Sequence, residues 1–524
     1  METRGDLASI IPFLPLVLRS SSLYWPSGAL GSLKALALGP DVSRIRSGEV
    51  LFDAILDLRE SLGLSFRPLA HGSASGFSSF FDKLMSKEDS RVWFDNVVPE
   101  MARLLLQLPS LLESHYLKSD ELFSEGNSGI RIMGPQEPGR VFLSQELIAA
   151  LLSCAMFCLF PTSDRGFRDL PIINFDNLFA PLYWDEKQHQ VQKVKCIVHY
   201  FERITSKRPI GSVSFERKVL HVDNSDHGLA YSSTTYWRSS TTPLCSFEVF
   251  SEGLIEDQPY EAIEVDFANE YLGGGALGQG CVQEEIRFMI NPELIVGMLF
   301  LPSMNANEAI EIVGAERFSS YSGYGHSFQF MGDYQDNKPF DSMGRRKTWI
   351  VAIDALCNPR MRQYEIEYLV RETIKALCGF FDQSKYKCRI ELSETYPKHA
   401  KDVGSSESKK CNAEGTSVSE SSSVRDFQGS IGIATGNWGC GAFGGDLEVK
   451  SMIQWLAASE GLRPFIHYYS FGVAAMQKLE EVTRWILQHG WTVSDLWSML
   501  AEYCNQRLSS KTFNGFFDWL LPGN

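Results

Sequence analysis

Val265-Asp266-Phe267-Ala268-Asn269, followed by Gly273-Gly274-Gly275 and, after seven intervening residues, by Gln283-Glu284-Glu285, carries more information than any other part of this 524-residue chain. Three consecutive glycines let a backbone take positive φ and come close to a ligand, and their N–H groups can form an anion-binding nest for a pyrophosphate. Alone, such a triplet also suits a tight turn. Its company narrows the choice. Adjacent carboxylates at Glu284 and Glu285 repel, so a site that holds both can lift one pKa and keep a proton ready for a leaving oxygen. Exposed acidic pairs are ordinary, but Ile286, Arg287, Phe288 and Ile290 follow this one in a run expected to be partly buried. Buried adjacent acids need a reason.

Outward from that stretch, short β-rich runs at Gly211 to Leu220, Ala262 to Phe267, Leu294 to Leu301 and Trp349 to Ile353 are interleaved with helical segments. The alternation predicts an α/β core. Upstream, to about residue 205, the pattern is mostly helical. Leu147 to Phe160 predicts a buried helix opened by Ser144 and stopped by Pro161, too short for a membrane span, which needs roughly 18 residues. Val191, Val194, Ile197, Val198, Phe201 and Ile204 share one helical face before Lys207-Arg208-Pro209 breaks the period. The expected division is therefore a mostly helical accessory domain at 1–205 and an α/β domain at 206–524. Within the second, about 397–428 is rich in serine and lysine with almost nothing apolar, and predicts a disordered surface insertion. Two helices should finish the fold after Gly472, the second opening at Thr492-Val493-Ser494-Asp495.

A second glycine-rich stretch runs from Gly436 through Asn437, Trp438, Gly439, Cys440, Gly441 and Ala442 to Gly444-Gly445-Asp446, after the apolar run Ile431 to Ala434 and before a helical segment. A strand, a glycine-rich turn and a helix N-terminus make a phosphate cradle. It lacks the Gly-Lys-Ser/Thr ending of a Walker loop and the Rossmann glycine spacing. A packing turn is the plainer alternative. Two aromatics beside glycines, Tyr324 and Phe471, have rings suited to stacking on a base or sugar, although either could equally serve a core.

Composition excludes some classes. With 64 acidic and 49 basic side chains the formal charge is −15, which argues against a broad basic face gripping nucleic acid, so a polyanionic ligand must be held by local dipoles. Eleven cysteines, an odd number without a C-x-x-C pair or zinc-like spacing, predict reduced thiols in an intracellular protein. Ile10 to Leu18 contains two prolines, follows Glu2 and Asp6 and lacks a small-residue cleavage site, so no signal peptide is expected.

The run from Val265 to Pro292 resembles the signature of the poly(ADP-ribose) glycohydrolase family, and Ala434 to Asp446 resembles its diphosphate loop. Similarity also covers Ser144 to Pro161, Ile197 to Ile204, Ser322 to Tyr324 and the segment ending at Phe471, so it spans most of the chain from about residue 90. The resemblance implies a macrodomain-like three-layer α/β/α core that binds ADP-ribose, preceded by an N-terminal helical accessory domain. It implies Glu285 as catalytic acid/base, Glu284 as a neighbour holding a substrate ribose hydroxyl, and Asp266 as an active-site carboxylate supporting the loop. Ile255 and Glu256 would contact adenine. Asn269 and Gln283 would hold ribose and neighbouring groups, Gly273, Gly274 and Gly275 would approach the diphosphate with Asn437, Trp438, Gly439, Cys440, Gly441 and Ala442, and Tyr324 and Phe471 would flank the ligand.

The family's bond joins a ribose anomeric carbon to a ribose hydroxyl of the next unit, so Glu285 would protonate the leaving oxygen and then deprotonate the attacking water. Adjacent side chains diverge whether the segment is extended or helical, which argues against Glu284 and Glu285 as an opposed acid and nucleophile. No metal or other cofactor is implied. The expected partners are poly(ADP-ribose) and poly(ADP-ribosyl)ated proteins, without direct nucleic-acid or membrane binding, in the nucleus or cytoplasm. The alternative is a macrodomain that binds ADP-ribose without hydrolysing it, against which the intact Gln283-Glu284-Glu285 argues.

Overall fold

The computed structural model describes residues 3–122, 129–184, 188–221, 223–224, 229–382 and 431–521. The serine- and lysine-rich segment expected at 397–428 lies outside the described residues, as do Cys388 and Cys411. The strands that matter here are β1 (Gly139–Ser144), β2 (Ser212–Val219), β3 (Ser246–Phe250), β4 (Ala262–Ala268), β5 (Glu308–Val313), β6 (Trp349–Asp354), β7 (Gly432–Gly436) and β8 (Phe465–Tyr469). The helices that matter are α1 (Gln145–Met156), α2 (Gln188–Ser206), α3 (Gln283–Ile290), α4 (Leu447–Glu460) and α5 (Val493–Leu508).

Two compact units divide the chain, one of Met1–Leu229, Glu264–Arg360 and Trp438–Gly445, the other of Ala230–Ile263, Met361–Asn437 and Asp446–Asn524. This is a different partition from a single break near residue 205. In the first unit the strands run in the order β1-β2-β5-β6-β4. β1 pairs antiparallel with β2, Gly139 opposite Arg217 and Ser144 opposite Ser212, so the mostly helical upstream region also supplies a sheet strand. Its alternation is only six residues long, with Val141 and Leu143 inside, and such a short run is hard to distinguish from loop. β2 pairs antiparallel with β5, and β5 with β6.

α1 forms where Ser144 predicts it, the Ser144 hydroxyl accepting from Leu147 N–H at 3.2 Å, and its apolar residues are buried all round. α2 carries the expected apolar stripe over 19 residues. Leu294 to Leu301, expected as a strand, is instead the body of a 3-10 helix, Pro292–Leu299. Pro292 sits in its first turn, where a fixed φ and a missing N–H cost nothing. Every residue of that helix is buried, and a run apolar on all sides has no period by which to tell helix from strand.

In the second unit β7, β8 and β3 are parallel, with Ile433 opposite Ile466 and Phe465 opposite Ser246. β7 leads through the second glycine-rich stretch to α4, whose cap Asp446 accepts from the N–H groups of Glu448 (2.9 Å) and Val449 (3.1 Å). The strand, turn and helix expected there are all present. After Gly472 come Leu479–Gln488 and α5, the latter opened by Thr492 and Asp495 as a reciprocal capping pair, and a further short helix, Phe516–Leu520, follows. Among the described residues no helix is long and apolar enough to cross a membrane.

Candidate active site

β4 delivers Asp266 into the interior, and the chain then turns through the glycine triplet before α3 begins at Gln283. The glycine N–H groups are already engaged. Gly273 N–H donates to Glu284 Oε1 at 2.6 Å, Asn269 N–H to Glu284 Oε2 at 2.9 Å and Gly274 N–H to the Tyr271 carbonyl at 2.9 Å. Gly275 N–H donates to Glu285 Oε1 at 3.0 Å and Val282 N–H to Glu285 Oε2 at 2.8 Å. The pyrophosphate nest expected of this triplet is therefore filled from within: its acceptors are the carboxyl groups of the two glutamates. Both lie in the first turn of α3, where unpaired N–H groups and the helix dipole favour negative charge. They diverge, Glu284 towards the start of the loop and Glu285 towards its end.

Glycine is required at two of these positions. Gly273 and Gly274 have φ of +85° and +47°, and a Cβ on Gly274 would stand 2.6 Å from Glu284 Oε2. Gln283 has its amide engaged with β4, its Oε1 accepting from Phe267 N–H at 2.8 Å and its Nε2 donating to the Val265 carbonyl at 3.1 Å. It ties the start of α3 to the strand. Gly274 and Gly275, with Asn269, Gln279, His71 and Asn177, border a cleft of about 830 Å³.

Behind the glutamates lies Asp266, buried, with no hydrogen-bond partner on either carboxyl oxygen among the described residues. Burial pushes its pKa up to about 8, opposed by the Arg287 charge and aided by that of Glu285. Burial likewise raises Glu284 well above the carboxylate range, reinforced by Asp266 and Glu285 and opposed by its two backbone donors. Asp266 lacks any donor, so it is the natural holder of a proton near neutral pH. Arg287, one turn into α3, is instead committed to Glu264, 2.5 Å away, which Lys338 also contacts at 2.7 Å.

A pH dependence follows. Because the folded pKa of Asp266 lies above the unfolded one, its contribution is fully present below about pH 4 and is lost as pH rises through about 8. Asp266→Asn keeps the shape and removes the titration, so it should raise thermal stability relative to the unmodified chain more at pH 9 than at pH 6, by on the order of 1–2 kcal/mol. Melting curves at both pH values check this, and an equal shift at both would mean that Asp266 holds no such proton.

The first unit thus brings together Asp266, Asn269, Gly273, Gly274, Gly275, Gln283, Glu284 and Glu285. Tyr324 belongs with them: its hydroxyl lies by the Gln283 backbone N–H and the residue is more than half exposed. The second unit holds Ile255, Glu256, Asn437 and Phe471. Ile255 is in the core, in a 3-10 turn packed against β7. Asn437 is fixed by Tyr468, whose hydroxyl donates to its Oδ1 at 3.0 Å, and by its own Nδ2 donating to the Ser470 carbonyl at 3.1 Å. Phe471 has φ of +53°, a left-handed backbone that a bulky residue rarely adopts, and its ring is partly exposed. In the glycine-rich loop the Trp438 ring is buried, its Nε1 donating to the Ile353 carbonyl at 2.9 Å, so only its backbone is available to a ligand. Gly441 has open space where a side chain would stand.

Two family descriptions match the chain: "Poly (ADP-ribose) glycohydrolase (PARG), helical domain" over residues 85–217 and "Poly (ADP-ribose) glycohydrolase (PARG), Macro domain fold" over 234–478. Among similar proteins, poly(ADP-ribose) glycohydrolase 1 of Arabidopsis thaliana is 52% identical, the match covering 100% of this chain and 98% of that one. The chain belongs to the poly(ADP-ribose) glycohydrolase family. Its fold is accordingly a helical domain followed by a macrodomain. A probable poly(ADP-ribose) glycohydrolase 2 of the same plant is 50% identical over 99% of both chains. Poly(ADP-ribose) glycohydrolase 1 of Caenorhabditis elegans is 33% identical over 62% of this chain and 36% of its own length.

Proposed function

We infer that the chain hydrolyses the ribose–ribose O-glycosidic bonds of poly(ADP-ribose) and releases ADP-ribose, with Glu285 as the acid and base of both steps. What supports the assignment of Glu285 is its mounting: each carboxyl oxygen is held by one backbone N–H, from Gly275 and from Val282, at the end of a glycine loop bordering an open cleft. A carboxyl fixed at both oxygens can give a proton to the departing ribose oxygen and recover one from water without turning. Glu284, anchored to Asn269 and Gly273, would hold a ribose hydroxyl, and protonated Asp266 keeps its own negative charge out of the pocket. Within the first unit, Asn269, Tyr324 and the Trp438 to Ala442 backbone are candidates for holding the ADP-ribose.

Incubating the purified chain with polymer and following free ADP-ribose tests the reading; binding without release would favour the non-hydrolytic alternative. A chain of formal charge −15 should hold ADP-ribose by short-range dipoles rather than by distributed cations. Affinity measured by calorimetry should then fall less than about tenfold between roughly 50 and 200 mM salt, where release of several counterions would cost orders of magnitude.

A further inference from the structure

Lys193 lies in the middle of α2, on the stripe formed with Gln190, Ile197, Tyr200 and Ile204, all of them buried. A lysine in the core needs its three donors satisfied. Its Nζ donates to the carbonyls of Gly278 (2.8 Å), Gly275 (3.4 Å) and Gly280, all in the glycine loop that precedes α3. Gly275 is thereby held on both sides, its carbonyl by Lys193 and its N–H by the Glu285 carboxylate. Gly280 is pressed on Glu285 as well, since a Cβ there would stand 2.7 Å from Glu285 Oε1. One ammonium therefore fixes, from the far side, two of the residues that touch the Glu285 side chain.

We propose that Lys193 is a positioning residue for catalysis, through which α2 of the helical region sets the aim of Glu285. The proposal rests on Glu285 being the acid/base. It concerns orientation: among the described residues the ammonium bonds only loop carbonyls, and those bonds lock the loop that carries the Gly275 and Val282 N–H groups. Removing them leaves the rest of α2 packed and the loop free to shift. A displacement of about 1 Å in a catalytic group is enough to cost on the order of a hundredfold in rate.

Loss of one proton from Nζ would remove one of the three donors, and burial lowers the Lys193 pKa to about 8 against the opposing charges of Cys281, Glu285 and Cys196. The Cys281 and Cys196 thiols are pushed up to about 11 and about 12, so neither competes near pH 8. The Asp266 carboxyl does titrate there. Further out, His326 faces His189 of α2, Asp333 contacts His199, and Asp176 opens a short helix packed on α2. The test must therefore separate Lys193 from Asp266 by variant rather than by pH alone.

Polymer hydrolysis by the unmodified chain, Lys193→Met and Glu285→Gln, measured from about pH 6.5 to 9.5 with melting temperature and ADP-ribose affinity alongside, makes that separation. Lys193→Met should lower kcat by about 10–100-fold with KM and ADP-ribose affinity within about threefold, and the fall in kcat above about pH 8 should be absent from its profile. A folded Lys193→Met with kcat within about twofold of the unmodified chain, a loss confined to KM, or an unchanged alkaline fall would overturn the proposal. Lys193→Gln, which keeps two donors, carries the same test should the methionine variant not fold. Inactive Glu285→Gln beside a normal Lys193→Met refutes only the positioning role, whereas an active Glu285→Gln refutes the assignment on which it rests.

Discussion

Gly274→Val should reduce polymer hydrolysis by roughly 10²–10³-fold while the body of the protein stays folded. Two costs coincide at this position. The backbone has φ of +47°, which a β-branched residue resists by about 1–2 kcal/mol. The new Cβ would also stand 2.6 Å from Glu284 Oε2, 3.0 Å from Glu285 Oε1 and 3.3 Å from Asn269 Cβ. Glu284 cannot simply swing aside, because Gly273 and Asn269 N–H groups hold its two oxygens. Relief must come from moving the loop, and the loop carries the donor to Glu285. Steady-state kinetics with a melting curve check this; near-normal turnover in a folded Gly274→Val would show that the loop tolerates displacement and does not aim the carboxylates.

Much of this was legible in the sequence for local reasons. A strand, three glycines and an acidic pair followed by apolar residues are close in the chain, and each has a steric or electrostatic use that can be stated without a structure. The capped starts of α1 and α5 and the stripe of α2 were legible in the same way. What local pattern could not show is which partner each polar group finds. The glycine N–H groups suited a phosphate as well as a carboxylate, and the choice fell to Glu284 and Glu285 because α3 begins where its first-turn side chains reach back over the loop. The role of Lys193 is illegible locally for a similar reason: its partners are 82 to 87 residues away in sequence. The available signal was a lysine at three-and-four spacing among core positions of α2, a place where a cation needs an explanation. The 3-10 helix Pro292–Leu299 was hidden by uniform burial, and the β1 strand by its brevity.

Glu285→Gln should fold normally, bind ADP-ribose and lose about 10²–10⁴-fold in polymer hydrolysis, the range over which a positioned proton donor and acceptor contributes. The amide matches the carboxylate in shape, and its oxygen can still accept from Gly275 or Val282. Its NH₂ faces the other N–H, at a cost of about 1 kcal/mol that the surrounding fold can absorb. What the amide cannot do is give up a proton to the leaving ribose oxygen and take one from water. The direct measurement is the rate of ADP-ribose release from polymer by the unmodified chain and Glu285→Gln under single-turnover conditions, with ADP-ribose affinity determined on the same preparations. Release by the unmodified chain, with unchanged affinity and at least about a hundredfold slower release in the variant, is the predicted result; equal release by both proteins would contradict the assignment of Glu285 as the group that moves the proton.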